Sequence, residues 1–60
     1  MNDFIGQCFQ VDLADDYGCV GFKGTIKAVH VPFIVFHTDN EDMIVNERYI
    51  KTMIPRKIDL

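Results

Sequence analysis

"FKGTIKAVHVPFIVFHTD", Phe22 to Asp39, is the stretch whose reading decides the fold. Residues alternate along its first half. Phe22, Ile26 and Ala28, with Val20 just upstream, share one face, and Lys23, Thr25 and Lys27 share the other. Alternation of period two predicts a half-buried strand. Gly21 and Gly24 lie inside it. Glycine within a strand weakens it unless the sheet bends sharply or another backbone passes close. A long, glycine-kinked strand is how a small sheet curls toward a barrel. Pro32 marks a turn, and Phe33-Ile34-Val35-Phe36 then runs apolar on both faces, as expected of a strand covered twice.

Upstream, "QCFQVDL" also alternates, with Phe9, Val11 and Leu13 on one side and Gln10 and Asp12 on the other. Met1 to Ile5 is too short for a stable helix of its own. Asp15-Asp16-Tyr17-Gly18 is turn chemistry. Downstream, Thr38 to Asp42 reads as a polar loop, and "MIVNE" and "YIKTMI" as two further strands with Arg48 near the bend between them. Pro55 is expected to end the sheet, because it donates no ladder hydrogen bond. The pattern predicts an all-β fold, a five-stranded, strongly bent antiparallel barrel of the SH3 or OB type over about residues 5–55 with a tail at 56–60. Strands this closely spaced leave no room for crossover helices, which excludes a parallel α/β arrangement.

Sixty residues make a single domain. A chain this short hides only about 60% of its unfolded surface, yet 48% of its residues are hydrophobic. The surplus is expected to face another chain. The net charge of −3 argues against a free-standing nucleic-acid binder, since phosphate neutralisation supplies most of such affinity. It leaves room for a local basic patch. No secretory leader pattern and no membrane-length apolar run occur. A cytoplasmic protein with reduced thiols is the expectation, with a Cys8–Cys19 disulfide open if their strands pair.

With these elements in place, "GTIKAVHVPFIVFH" resembles the first sequence motif of the Sm and Sm-like proteins, the family that includes the bacterial RNA chaperone Hfq. Gly24 matches the glycine of the bent second strand, Ile26 and Val29 match apolar positions, and Phe33 matches the apolar residue of the turn. "IGQCFQVDL" is similar to the family's first strand, and "MIVNERYIKTMIP" resembles its second motif. The similarity covers about Ile5 to Pro55, and several of its matches are shared by other SH3-like barrels, KOW-type modules included.

The resemblance implies a homo-oligomeric ring in which the fourth strand of one subunit pairs with the fifth of the next. That places Met43, Ile44, Val45, Tyr49 and Met53 at the interface. It also implies a single-stranded RNA site at His30, Pro32, Asn46, Arg48 and Lys51. The base-reading positions depart from the family pattern. Its aspartate and asparagine read His30 and Ile34, its stacking residue reads Pro32, and its Arg-Gly reads Asn46-Glu47. The implied RNA binding therefore carries altered or weak uridine specificity.

Other chemistry finds little footing. The chain has no serine, so a Ser-His-Asp triad is impossible. Nothing places either thiol in an activating setting beside a histidine. His30, His37, Cys8 and Cys19 lack the close spacing of a zinc site. Asp15, Asp16, Asp39, Glu41 and Asp42 read as solvated loop residues. No enzyme activity, metal or cofactor is expected. Lys23 and Lys27 read equally as phosphate contacts or as charges that keep a strand face soluble. Beside the RNA-binding ring stand two alternatives: an SH3-like barrel that serves protein–protein contact without RNA, and a monomeric KOW- or SH3-like adaptor.

Overall fold

The computed structural model describes residues 2–14 and 21–57. The expected turn at Asp15 to Gly18, together with Cys19 and Val20, lies outside them. Five strands follow in order: β1 (Cys8–Leu13), β2 (Gly21–His30), β3 (Phe33–His37), β4 (Asp42–Asn46) and β5 (Ile50–Arg56). Among the described residues, a 3₁₀ turn at Asn2–Phe4 precedes β1, and a second, Glu47–Tyr49, joins β4 to β5. The described residues contain no α-helix, and none of their helical turns is long and apolar enough to cross a membrane.

All strand pairs are antiparallel, in the order β4-β3-β2-β1-β5. The sheet bends around one core and is not closed: β4 and β5 are its two edges. The N-terminal segment lengthens the β1–β2 pairing, with Gly6 N donating to Ile26 O and Ile26 N to Gln7 O. Gly6 makes this entry at φ +92°, in the left-handed region that glycine tolerates.

The core follows the alternation of β1. Phe9, Val11 and Leu13 are buried with Ile26, Ile34, Phe36 and Val45. Phe22, Val29, Met43, Ile50 and Met53 pack around them, half-buried. Two edge-to-face aromatic contacts brace this layer, Phe22 with Phe36 at 5.0 Å and Phe4 with Phe9 at 5.6 Å between ring centres. Such pairs add about 0.5–1.5 kcal/mol beyond area burial.

Five details differ from the sequence expectation. Ala28 does not share the face of Phe22 and Ile26: the β2–β3 register shifts between Ile26 and Ala28, which sets Ala28 opposite Val35 on the other face, while Val29 packs on the core. Pro55 does not end the sheet: it pairs with Phe9, and β5 continues to Arg56, opposite Cys8. An edge strand tolerates proline, because its outward amides have no ladder partner to lose. Simple alternation along "YIKTMI" would put Ile50 with Ile54, and Tyr49 with Met53, but it fails at a bulge. Leu13 pairs with Ile50 but Asp12 with Thr52, which makes Lys51 the extra residue of the bulge. One extra residue reverses the facing, so Ile50 and Met53 both pack on the core and Ile54 is exposed. Tyr49 belongs to the 3₁₀ turn rather than to the strand. Finally, β3 is covered on one face only: Ile34 and Phe36 are buried, whereas Phe33 is 45% exposed.

Candidate functional site

Four of the five residues expected to contact RNA meet at one end of the sheet. His30 pairs with Phe33, and Phe33 with Asn46, which sets the three in a row across β2, β3 and β4. The β2–β3 turn is tied to the β4–β5 connection, since Glu47 N donates to Pro32 O at 2.8 Å. Asn46 caps the second 3₁₀ turn: its Oδ1 accepts from Arg48 N at 3.1 Å. Ile50 N closes that turn on Glu47 O. Ala14 N donates to Tyr49 O at 2.8 Å, holding the turn against the end of β1. The Arg48 guanidinium carbon lies 5.7 Å from the Tyr49 ring centre, within cation–π range. Lys51 follows on the bulge, exposed.

His30, Pro32, Glu47 and Arg48 are exposed, whereas Asn46 is half-buried. The Asn46 carboxamide oxygen is committed to the cap. What this end presents is therefore the Arg48 guanidinium and the His30 imidazole, opposed by the Glu47 carboxylate, with Lys51 beyond them on the β5 bulge. Cations in such an arrangement attract phosphate without distinguishing one base from another.

The residues expected at a subunit interface divide by strand face. Val45 is fully buried in the core, and Met43 and Met53 pack against it. At the β4 edge Val45 offers main chain only, while Met43 and Met53 are half-buried. Tyr49 is half-buried in the 3₁₀ turn. Ile44 is 65% exposed on β4, opposite Val35 on the outward face. Ile54, which the sequence reading did not single out, is exposed on the outward face of β5, opposite Gln10. Both sheet edges thus carry an uncovered isoleucine on the same face of the sheet.

At the opposite end lies a cluster that joins Asp42, which the sequence places in a solvated loop, to Lys27 and His37, which it places on separate strands. Arg56, Cys8, Thr25, His37 and Asp42 form one row across all five strands. Lys27 Nζ donates to Asp42 Oδ2 at 2.7 Å, and His37 Nδ1 lies 2.8 Å from Asp42 Oδ1. The Lys27 ammonium, and after it the His37 ring, hold the Asp42 carboxyl below its ordinary value of 3.8. An ionised carboxylate only accepts hydrogen bonds, so the ring proton of His37 sits on Nδ1 and Nε2 is left free of Asp42. The pair flanks a short loop in which Thr38 N donates to Glu41 O, and Thr38 Oγ1 both donates to Glu41 O and accepts from Glu41 N. Two residues that flank a hairpin loop face each other. "HTDNED" carried that signal, which was readable once the loop was taken as tight.

Cys8 is a free, half-buried thiol, and its possible partner Cys19 lies outside the described residues. Thr25 of β2 stands between Cys8 and His37 in the row. Two strand spacings separate such residues by about 9–10 Å, too far for a thiol to pass its proton to the imidazole. No group of three or more His, Cys, Asp and Glu side chains gathers as a metal site among the described residues.

Compared with protein-family models, characterised proteins and solved structures, the chain matches none.

Proposed function

We propose that the chain assembles edge to edge into an Sm-like homo-oligomeric ring that binds single-stranded RNA through phosphate contacts, with weak preference for uridine. The observation that carries this reading is the pair of open edges. A five-stranded sheet ordered β4-β3-β2-β1-β5 has β4 at one end and β5 at the other. Unpaired strand edges invite pairing with another chain. Joining β4 of one copy to β5 of the next satisfies both edges and brings Ile44 and Ile54 to the same outward face. Identical head-to-tail contacts generate a ring when the rotation closes.

RNA binding rests on His30 and Arg48 at the end where the β2–β3 turn meets the second 3₁₀ turn, with Lys51 on the adjoining β5 bulge. A ring repeats that cationic end once per subunit, which offsets the chain's net charge of −3 locally. The test is a titration of oligo-U and oligo-A at two salt concentrations, with Arg48→Ala in parallel. The reading expects similar, salt-sensitive binding of both, weakened in the variant. Uridine-selective binding that resists salt contradicts the weak base preference.

A second reading is favoured by one observation. Val31, Phe33 and Ile44 are exposed together at the β2–β3–β4 end of the outward face. In that reading the barrel is a protein-contact module without RNA binding, and neither oligomer binds at low salt.

A further inference from the structure

A half-open pocket of about 320 Å³ lies at the end of the sheet away from the second 3₁₀ turn. Lys23 and Thr25 of β2, His37 of β3, Asp39 of the following loop and Lys57 just after β5 line it. Its volume is within the range of pockets that take small ligands. None of these residues belongs to the end proposed to contact RNA.

The charge balance of the lining is unusual for an acidic chain. Among the described residues neither Lys23 nor Lys57 has an ion-pair partner. Lys27, the next cation along β2, is already neutralised by Asp42. Two ammonium groups with no ion-pair partner among the described residues therefore line the pocket beside one carboxylate, Asp39. Thr25 adds a half-buried hydroxyl with no hydrogen-bond partner among the described residues. His37 turns Nδ1 to Asp42 and leaves Nε2 as its free ring nitrogen. In the neutral ring Nε2 accepts the P–OH proton of a singly protonated phosphate, and in the charged ring it donates to the dianion. The Thr38 hydroxyl is not available, being bonded to Glu41.

We propose that this pocket binds a small phosphate monoester. Lys23 and Lys57 supply the charge, Thr25 and His37 the directed hydrogen bonds, and Asp39 accepts from a hydroxyl on the alcohol part. A nucleoside 5′-monophosphate has all of these groups. The phosphate would lie over the outward face between β1 and β3, with the alcohol part toward the loop that carries Asp39.

The test is an amide-shift titration of the full chain with three probes: inorganic phosphate, adenosine 5′-monophosphate and adenosine. Saturable shifts centred on Thr25, His37 and Thr38 are expected with both phosphates and not with adenosine. The Lys23→Gln/Lys57→Gln variant should bind the nucleotide at least about tenfold more weakly, since it removes both charges that the phosphate would meet. Both lysines are exposed, so its melting curve should match that of the parent. If that variant unfolds, Lys57→Gln alone carries the comparison. Three results would overturn the proposal: no saturation by either phosphate at millimolar concentration, unchanged affinity in the lysine variants, or equal shifts with adenosine. Arg48→Ala should leave the titration unaltered, and a loss of binding there would move the site to the opposite end.

Discussion

Gly21 is the glycine whose replacement should matter most. A Cβ built there lies 2.7 Å from the backbone oxygen of Val11 and 3.1 Å from Asp12 Oδ1. The first of these contacts is with main chain, which cannot swing aside like a side-chain tip. Gly21→Ala must push β2 away from β1 at the Asp12–Gly21 pair. Overpacking of this kind costs about 1–3 kcal/mol. The reduced freedom of the unfolded chain returns about 0.4–1 kcal/mol. At mid-range, about 2 kcal/mol less about 0.7, a net loss of about 1.3 kcal/mol remains, against a total stability of about 3–9 kcal/mol for a chain of this length. The melting temperature should fall by about 5–10 °C. At Gly24 the nearest atoms are 3.3 Å away: His37 O, the Phe22 ring and Phe36 Cβ. Gly24→Ala therefore asks for only a few tenths of an ångström and should lie close to the parent, whereas Gly24→Val should destabilise clearly. Thermal melts by circular dichroism compare the three. If Gly21→Ala melts at or above the parent temperature, the close approach of β1 and β2 is misplaced.

Asn46→Ala removes the cap on the second 3₁₀ turn and should cost about 0.5–2 kcal/mol in a denaturant titration; no loss would mean that the Asn46–Arg48 bond contributes nothing. Because Asp42 is held below 3.8 by Lys27 and His37, its contribution is present above that value and disappears as pH falls through the lowered one. Melting temperature followed against pH should show the parent losing its advantage over Asp42→Asn only on the acid side of 3.8, and parallel curves would show that the ion pairs do not act. A charge on the β4 edge, Ile44→Lys, should dissociate the proposed assembly while leaving the circular dichroism spectrum intact. It is a cleaner probe than a proline at Met53, which pairs with Val11 inside the same chain.

The parts of the fold legible in the sequence are those fixed by local alternation. Phe9, Val11 and Leu13 read as one face and form one face, because nothing interrupts β1. The long bent strand around Gly24 was equally visible. The facing of β5 was not, because it depends on a bulge set by the partner's register. Ile50 and Ile54 have matching parity in the sequence, yet one packs inward and the other is exposed. Nor could alternation show that Phe33 lacks a second cover, since an apolar residue reads the same covered or bare. Gly21 outranks Gly24 only through its distance to a backbone oxygen on another strand. The candidate site followed the same rule. The meeting of Pro32 with Glu47 restates two turns that were already located, whereas the His37–Asp42–Lys27 cluster appears only once the β3–β4 register is known.

Light scattering of the full chain across a range of concentrations tests the central claim, edge-to-edge assembly through β4 and β5, most directly. The account predicts a discrete mass several times the 6.9 kDa of one chain, reduced to a single chain by Ile44→Lys. A parent protein that stays at 6.9 kDa at every concentration would contradict it.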